Sequence, residues 1–580
     1  MSRTLARPRA AALVAAFALA LTGCGDDNGG TDDNAPQSAQ QSTDATGRTT
    51  AVVGDAPDSS NAEKEQFAPG DWPVFGRDRD NTRFAPQASI NAHTISRLGT
   101  AWDDDLGGNQ FLMESFPLVV DGTLYVTTST NEVFAFDAAT GQTKWKYAPD
   151  VDFSLSTGVG GYGVSVNRGV AVAGGQAYLL TFDGKLKSIS TQTGEETWSS
   201  EVVDPKTGAY ETMSPTVWDG KVYVGSSGSE QGIRGFVAAY DAKTGKEVWR
   251  FYTVPKAGTG WVKPGNGGGT VYMAPTIDTD TGILYAGTGN PSPTIVGEER
   301  PGNNLYTSSI IALNAQNGKL LWYNQQVPHD LWDYDAASPP FIFETTKDGK
   351  KVKGVAEAGK SGWFAMMDAK TGENLFPRVP FVTQDHKPPT REGTLECPGP
   401  MGGSQYSPVA YSPKVNAAYI SGIEFCFILK VDDKPQHGES KFGGTRQFPA
   451  DVDPSGTFTA VDLNTGKKKW TRKTSTPLAA GATVTASNLV FTGDQLGNLY
   501  AFDAETGETV WKENFGLAFA AAPIVYTVDG TDYIAFTVGG GGVTSSKQLG
   551  PIGAHLFVLK LDGKKIVPAK PAGEASQLGG

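Results

Sequence analysis

The feature that most constrains this 580-residue chain is a short segment that recurs along it, first as AFDAATGQTKW at 135–145. An apolar run ends in an Asp-x-x-Thr-Gly turn, where glycine accepts a positive φ and aspartate bonds the turn backbone. The next strand carries a large aromatic residue that can pack against a neighbouring unit. The anchoring aromatic residues are Trp145, Trp198, Trp249, Trp322, Phe376, Trp470 and Trp511. Self-similarity at roughly 40–50 residues is typical of propellers and solenoids.

The two chain ends can supply one further unit. HLFVLKLDGK at 555–564 repeats the apolar strand without a tryptophan, and LGTAW at 98–102 offers a strand from the other end. Pairing of these strands would close a ring and remove its exposed edges. We therefore predict an all-β, eight-bladed β-propeller with tryptophan-docking repeats over residues 67–580, within the usual range of 4–8 blades. A solenoid is the alternative, although it would need capping units that are not evident.

The first 24 residues read as a targeting segment. Arg3, Arg7 and Arg9 precede the apolar run AALVAAFALALTG, and the run ends in LTGC at 21–24. This ending looks like a bacterial lipobox, which predicts cleavage before Cys24 and lipidation of its sulfur; the alternative is an ordinary signal peptide with a chance cysteine. Residues 25–66 contain hardly any large apolar side chains, so we predict a disordered tether. The chain is thus expected to be lipid-anchored on the extracytoplasmic face of a bacterial membrane.

Two cysteines remain, Cys397 and Cys426, and in an oxidising compartment they are expected to form a disulfide. The net charge of −13 and the absence of a long Lys/Arg run argue against nucleic acid as a partner. The five histidines show no paired metal-ligand spacing, which argues against a zinc hydrolase. Gly158, Gly160 and Gly163 fit G-x-G-x-x-G, but a strand pattern follows them instead of the helix that a phosphate site needs.

The segment PHDLWDYD at 328–335 is the most chemically suggestive. If it is extended, Asp330, Asp333 and Asp335 are expected to share a face. Carboxylates held together repel one another unless protons or a cation intervene, and a hard cation would accept their oxygens. A solvated loop with capping aspartates is an equally good interpretation of these residues alone.

The ordered set of motifs resembles the quinoprotein alcohol dehydrogenases, eight-bladed propellers that use pyrroloquinoline quinone (PQQ) and a metal ion. The resemblance covers nearly the whole mature chain, and the motifs that carry it are DWPVFGRDRDNTRFAP, VNRGVAV, SGSEQGIRGFVAAYDAKTGKEVW, GTGNPSP, HDLWDYD and NLVFTGDQLGNLYAFDAETGETVW.

The resemblance implies a metal site at Glu230, Asn290 and Asp333 for calcium or a lanthanide, with Asp335 at the position of an extra acid associated with lanthanide use. It makes Asp333 the catalytic base and Lys360 the cation that contacts the quinone oxygens. It also implies that Arg168 pairs with a PQQ carboxylate. The further cofactor contacts that it implies are Glu114, Thr212, Ser227, Gly228, Ser229 and Thr270.

Four positions depart from the family pattern. Tyr272 stands where the family commonly stacks a tryptophan on PQQ, and Tyr162-Gly163 replaces a pair of adjacent cysteines. A Gly-Trp-Gly-Gly segment is four glycines at 539–542, and an Asn-Trp pair is Gln405-Tyr406. The second wall of the cofactor pocket is therefore expected to differ from that of the relatives.

The resulting prediction is an extracytoplasmic PQQ- and metal-dependent dehydrogenase for an alcohol, aldehyde or sugar. Insertions at 291–306 and 377–404 are expected to shape the substrate site. No cytochrome domain is evident, so electrons are expected to pass to a separate acceptor, a cytochrome c or a quinone. The alternative is a non-catalytic propeller lipoprotein that acts as a binding or assembly scaffold, since inert propellers share the same repeats.

Overall fold

The computed structural model describes residues 40–43, 48–54, 67–107, 113–153, 166–432, 442–540 and 552–572. The predicted leader with Cys24, most of the predicted tether, Tyr162-Gly163 and Gly541-Gly542 lie outside the described residues. Within the described ranges, no helix combines the length and apolar character needed to cross a membrane.

Most of the described chain forms antiparallel sheets of four strands, which we number as blades 1 to 8. Blades 1 to 4 comprise strands Leu118–Val120, Thr123–Thr127, Val133–Asp137 and Thr143–Tyr147; Ala171–Ala173, Gln176–Thr181, Lys185–Ser190 and Glu196–Glu201; Thr216–Trp218, Lys221–Val224, Phe236–Asp241 and Glu247–Tyr252; and Thr276–Asp278, Ile283–Gly287, Ser309–Asn314 and Leu320–Gln325. Blades 5 to 8 comprise Phe341–Lys347, Lys350–Ala358, Trp363–Asp368 and Val379–Pro380; Ala410–Ser412, Ala417–Glu424, Ser455–Asp462 and Lys467–Thr474; Thr483–Thr485, Leu489–Gly493, Asn498–Asp503 and Thr509–Asn514; and Ile524–Val528, Thr531–Gly539, Ala554–Leu561 and Leu98–Asp105.

The remaining elements are short. Strand Phe84–Ala85 runs parallel to the first strand of blade 7, and Gly267–Gly268 pairs with Pro291–Ser292. A three-stranded sheet of Thr394–Glu396, Phe427–Val431 and Gly444–Gln447 lies in the long excursions of blades 5 and 6. The 3₁₀ helices of the described residues are Ile95–Arg97, Pro205–Thr207, Ser229–Gln231 and Gly297–Glu299.

The ring closes as predicted, with strands from both ends of the chain in one blade. Strand Leu98–Asp105 pairs antiparallel with Ala554–Leu561 and completes blade 8, with Trp102 opposite Val558. This pairing joins the two ends of the chain in one blade and closes the ring, so the propeller prediction is confirmed and the solenoid alternative is wrong.

Tryptophan docking between successive blades explains the repeated Thr-Gly-x-x-x-Trp pattern. A Cβ atom added to the turn glycine Gly318 of blade 4 would lie 2.4 Å from the ring of Trp249 of blade 3. The Trp249 indole also donates to Ala315 O at 3.0 Å. The same contact joins Trp102 to Gly141, Trp145 to Gly194, Trp198 to Gly245, Trp322 to Gly372, Phe376 to Gly466 and Trp470 to Gly507. Blades 1 to 7 are therefore each positioned by an aromatic ring that precedes them in the ring of blades.

The turn aspartate has the predicted role. Asp137 Oδ1 accepts hydrogen bonds from the backbone N–H and the hydroxyl of Thr140, at 3.0 and 2.8 Å. Asp241 does the same with Thr244, and Asp503 accepts from the Thr506 N–H. These bonds hold the turn whose glycine receives the neighbouring ring.

The prediction that residues 25–66 are a disordered tether is wrong for part of that range. Strand Thr49–Val52 pairs antiparallel with Leu320–Gln325 on the outer side of blade 4, and strand Gln40–Thr43 pairs with it in turn. Ala51 is buried in the core shared by blades 3 and 4. The run Thr-Thr-Ala-Val is rich in β-branched residues and alternates between buried and more exposed positions, which suits a strand that covers a sheet edge.

The predicted pairing of the two late cysteines is confirmed. Cys397 and Cys426 form a disulfide between residues separated by 29 positions. It joins the segment that follows blade 5 to the segment that connects two strands of blade 6.

We predict that Gly318→Ala destabilises the protein more than Gly349→Ala. Both glycines have positive φ values, 71° and 75°, so each substitution carries the strain of a left-handed alanine, about 1 kcal/mol. The new Cβ at position 318 meets the Trp249 ring, whereas nothing lies within 4 Å at position 349. Thermal unfolding should therefore show an additional loss of about 1–3 kcal/mol for Gly318→Ala. Equal losses would contradict the docking role of this glycine.

Candidate functional site

The predicted site residues converge at one end of the blades. Some of them precede the first strand of a blade, and the others follow the second strand. Because these two strands are antiparallel, both groups lie at the same end of the strands. The first group is Glu114, Arg168, Thr212, Thr270, Tyr272, Asp333 and Asp335; the second is Ser227, Gly228, Ser229, Glu230, Asn290 and Lys360. Blades 1 to 5 thus contribute residues to one candidate active site.

A buried cation connects the residues from blades 1 to 3. Arg168 Nη2 lies 2.6 Å from Glu114 Oε2, and Nη1 donates to Thr212 Oγ1 at 2.6 Å. The Thr212 hydroxyl lies 2.8 Å from that of Ser227. All four side chains are buried. A buried guanidinium needs such partners, because an unpaired charge away from water is costly.

Aromatic rings surround the same guanidinium. Its central carbon lies 5.4 Å from the ring centroid of Tyr272 and 5.1 Å from that of Tyr406. Tyr406 also hydrogen-bonds the Glu114 carboxyl. Arg168 is therefore fixed by an ion pair and by two π faces, and these faces come from two of the positions at which the sequence departs from its family.

The turn after the second strand of blade 3 depends on a glycine. Gly228 has a φ of 109°, and an added Cβ would lie 2.5 Å from Gly208 O. The helical turn Ser229–Gln231 follows, and the Ser229 hydroxyl lies 2.8 Å from that of Thr270. This arrangement places Glu230 at the site, joined to blade 4.

Lys360 lies between two carboxylates. Its Nζ is 2.7 Å from Asp335 Oδ2 and 3.3 Å from Asp333 Oδ2. The Lys360 N–H also donates to Asp335 O at 3.1 Å, so backbone and side chain both join the two loops of blade 5. All three residues are buried, with 8% or less of each exposed.

Asp335 is held by two further donors. The Tyr272 hydroxyl donates to its Oδ2 at 2.7 Å, and the Asn290 N–H donates to its Oδ1 at 2.6 Å. The Asn290 side-chain amide donates to Pro291 O and Thr294 Oγ1, at 3.1 and 3.2 Å, which leaves the amide oxygen as the donor atom for a cation.

The prediction that Asp330 shares a face with Asp333 and Asp335 is wrong. Residues 328–335 form no strand, and Asp333 has a φ of 71°. Asp330 turns back into the loop, where its carboxylate accepts the N–H groups of Trp332 and Tyr334, both at 3.0 Å. Burial raises the pKa of Asp330 to about 6. Asp330 thus has the capping role that the alternative interpretation gave to these aspartates.

The electrostatics of the site favour a bound cation. Burial, followed by the charges of Asp335 and Glu230, raises the pKa of Asp333 well above its usual range, although Lys360 opposes this shift. Burial and Asp335 also raise the pKa of Glu230. Burial lowers the pKa of Lys360, but Asp333 and Asp335 outweigh it and raise that pKa overall.

The oxygen donors fit a hard metal ion in their chemistry. Asp333 Oδ1 is buried and has no hydrogen-bond partner, which is unusual for a carboxylate oxygen. Carboxylate and amide oxygens are the ligands that calcium prefers. In the described ranges, however, no three His, Cys, Asp or Glu side chains lie close enough together to ligate one ion. Lys360 is the cation that neutralises Asp333 and Asp335 in this structure.

Sequence reasoning missed some residues of the site. Arg446 acts electrostatically on both Asp333 and Glu230 and lowers their pKa values. Arg446 belongs to the small three-stranded sheet and lies far from any repeat motif, so no sequence signal identified it. Glu396, which bonds the hydroxyl of Tyr334, was also missed.

A cleft with a volume of about 490 Å³ opens beside the Asp333 loop. It lies between the two insertions that were expected to shape the substrate site. Its lining includes Ile295, Pro301, His329, Leu331 and Arg391. The cleft is therefore mainly apolar, with charged groups among its walls.

Comparison with known proteins gives consistent results. Residues 72–381 and 432–534 match the family profile described as the β-propeller domain of PQQ-dependent glucose/ethanol/alcohol dehydrogenases. The chain is 33% identical over 560 residues to a quinohemoprotein alcohol dehydrogenase from Comamonas testosteroni, covering 88% of this chain and 78% of the relative.

Solved structures agree with these matches. A crystal structure of the quinohemoprotein alcohol dehydrogenase from Comamonas testosteroni has a TM-score of 0.79 at 31% identity, over 86% of this chain and 82% of that one. A europium-containing methanol dehydrogenase has a TM-score of 0.77 at 27% identity, over 85% of this chain and 98% of that one.

We predict that Arg168→Met lowers the free energy of unfolding by about 3 kcal/mol, because it leaves the Glu114 carboxyl buried without its charge partner. Denaturant unfolding would measure this loss. Glu114→Gln in the same background should recover part of it. The matched control is Lys469→Met, which breaks a more exposed ion pair with Glu505 at 2.8 Å and should cost less than about 1 kcal/mol. Equal costs would contradict a special role for the buried pair.

Proposed function

This chain belongs to the family of PQQ-dependent alcohol dehydrogenases, and we propose that it is a PQQ- and metal-dependent dehydrogenase that oxidises an alcohol, aldehyde or sugar. The observation that carries the proposal is the buried group of Lys360, Asp333 and Asp335, in which Asp333 keeps an oxygen without a partner. A purely structural loop has no need of three buried ionisable side chains.

Different residues of the chain are suited to metal binding and to proton transfer in such a reaction. We assign Glu230, Asn290, Asp333 and Asp335 to the metal ion, as calcium or a lanthanide, because their oxygens suit a hard cation. We assign Asp333 the role of the base that takes the proton of the substrate hydroxyl. Burial raises its pKa, so the ammonium of Lys360 and a bound cation are needed to keep it ionised.

The buried polar residues of blades 1 to 4 are suited to a flat anionic cofactor. Arg168 can offer its guanidinium to a carboxylate, and the hydroxyls of Thr212, Ser227, Ser229 and Thr270 lie on the same side of the site. PQQ, when bound, supplies the electron-accepting quinone carbonyl, which a metal ion polarises. Tyr272 offers a π face in place of the tryptophan of the family, while its hydroxyl holds Asp335.

Substrate access and electron transfer complete the proposal. The cleft between the two insertions supports an entry route for a small organic substrate beside the loop of Asp333. Reduced cofactor requires a separate acceptor, a cytochrome c or a quinone. The leader and its LTGC ending support a location outside the cytoplasm with a lipid anchor at Cys24.

The alternative is a scaffold propeller without catalysis. Blade docking by tryptophan and glycine would serve a scaffold equally well, so the fold does not separate the two functions. The ionised group around Lys360 does separate them, since burying it costs stability and gives a scaffold nothing.

We predict that the purified protein binds PQQ saturably in the presence of calcium or lanthanum. Titration followed by quinone absorbance, together with dye-coupled alcohol oxidation, would measure this. The matched control is Arg168→Met, which should weaken PQQ binding at least tenfold. If neither metal supports binding, the proposal fails and the scaffold function is favoured.

We predict that Asp333→Asn lowers kcat by about 100-fold or more while the Tm stays within a few degrees of the parent value. The amide keeps the size of the carboxyl but cannot accept the proton, and a positioned base contributes about 10²–10⁴ in rate. Steady-state kinetics and thermal unfolding measure the two effects. A variant with undiminished kcat would show that Asp333 is not the base.

A further inference from the structure

The loop that carries Asp333 has no strand hydrogen bonds to support it. Residues 328–335 form no strand, and Asp333 adopts a left-handed backbone conformation with a φ of 71°. Such a conformation is uncommon for a residue with a side chain, and it persists only where neighbouring groups hold it. The contacts of the two adjacent residues, Trp332 and Tyr334, show which groups these are.

Both flanking rings pack against one segment. The rings of Trp332 and Tyr334 stack with centroids 5.6 Å apart and an interplanar angle of 17°. The imidazole of His386 lies 6.2 Å from the first ring and 5.4 Å from the second. Asp333 is therefore the residue between two side chains that share the same aromatic neighbour.

Hydrogen bonds fix both rings to that segment. The Trp332 indole donates to Lys387 O at 2.7 Å. The Tyr334 hydroxyl lies 2.7 Å from Glu396 Oε1 and is also in hydrogen-bond contact with Pro398 O. The second oxygen of Glu396 accepts the Lys387 N–H at 2.6 Å, so Glu396 connects the two attachment points.

A proton count determines the state of Glu396 that satisfies these contacts. The Tyr334 hydroxyl has a single hydrogen and faces two acceptor oxygens, Glu396 Oε1 and Pro398 O. A protonated Glu396 leaves that hydrogen free for Pro398 O and carries one hydrogen of its own. This second hydrogen can go to the Tyr334 hydroxyl oxygen or to the Asp385 carboxylate that Glu396 also hydrogen-bonds. An ionised Glu396 would compete with Pro398 O for the same hydrogen.

The two ends of the segment are joined to each other, and one of them is attached to blade 6. The Cys397 N–H donates to Asp385 Oδ1 at 2.9 Å, and Asp385 N–H donates to Cys397 O at 2.8 Å. The disulfide then joins Cys397 to Cys426. We call residues 385–398 the brace.

We propose that the brace positions Asp333 through the hydrogen bond between Glu396 and Tyr334, so that Glu396 is a positioning residue for the dehydrogenase reaction. This inference rests on the proposed function for its catalytic consequence, but the brace itself can be tested without catalysis. It also gives part of the insertion at 377–404 a second role, the support of the base loop, beside the expected one of shaping the substrate site.

The surroundings of Glu396 make its contact with Tyr334 dependent on pH. Burial, then a hydrogen bond and repulsion from Asp385, raise the pKa of Glu396 to about 8 from an ordinary value of 4.5. The charged or titratable groups that face it are Asp385, Lys387 and Tyr334, and His386 lies beside Tyr334. The stabilisation from protonated Glu396 is complete below about pH 4.5 and is lost as the pH rises through about 8.

Amide hydrogen exchange of the peptide over 328–338, in the purified full-length protein, tests the brace directly. Glu396→Ala removes the proton donor, so we expect exchange at least tenfold faster than in the parent protein at pH 6. Glu396→Gln keeps a donor for Tyr334 and an acceptor for Lys387, so it should match the parent at pH 6. Above pH 8 the parent peptide should lose protection relative to intrinsic rates, whereas Glu396→Gln should keep it. Unchanged exchange in Glu396→Ala at pH 6 would overturn the proposal.

Steady-state kinetics distinguish a role of Tyr334 in positioning Asp333 from a role in the stability of the fold alone. Tyr334→Phe should lower kcat about tenfold with little change in KM, while PQQ binding by absorbance stays intact. The matched control is Tyr419→Phe, which removes another buried hydroxyl that donates to a backbone carbonyl, Ala504 O, at 3.2 Å, and should leave kcat unchanged. Equal kcat values for Tyr334→Phe and the parent would refute the catalytic part of the inference. If the parent protein binds no PQQ, the proposed function fails, and the exchange experiment still decides whether the brace holds the loop.

Discussion

The contact between an aromatic ring and the turn glycine of the next blade is the interaction on which the rest of the molecule depends. It fixes blades 1 to 7 relative to the blades before them, and Trp102 extends it across the junction of the chain ends to Gly141. The site collects side chains from blades 1 to 5, so distances such as that between Tyr272 and Asp335 reflect the angles between whole sheets. A shift at one docking contact would therefore be transmitted to the site as a displacement of a complete blade.

Burial of charge is the second organising constraint. Two cations of the site are each paired with carboxylates from other loops, Arg168 with Glu114 and Lys360 with Asp333 and Asp335. Pairs of this kind contribute little net stability, because desolvation offsets most of the attraction. Their value lies in specificity, since an ion pair between two loops holds only one arrangement of those loops.

Local and periodic features were predictable from the sequence, as were the closure of the ring and the disulfide, whereas most long-range contacts between side chains of the site were not. The turn, the docking tryptophan and its glycine lie within one repeat, so their pattern was visible in every unit. The site residues followed from the resemblance to a family, and the structure brings them together at one edge of the blades. Asp330 was misassigned because it is three positions from Asp333, so even an extended strand would place the two on opposite faces, and the loop in addition contains a left-handed residue. The bond of Tyr334 to Glu396 joins residues 62 positions apart and has no repeat to reveal it.

Strand Thr49–Val52 gives part of the predicted amino-terminal tether a structural role. It occupies the outer edge of blade 4, and its partner strand Leu320–Gln325 would otherwise present unpaired backbone groups to solvent. Arg48 also donates to Gln326 O at 3.1 Å, close to the beginning of the loop that carries Asp333. A shortened protein that begins at residue 67 would lack this strand, and we expect the uncovered edge of blade 4 to favour self-association.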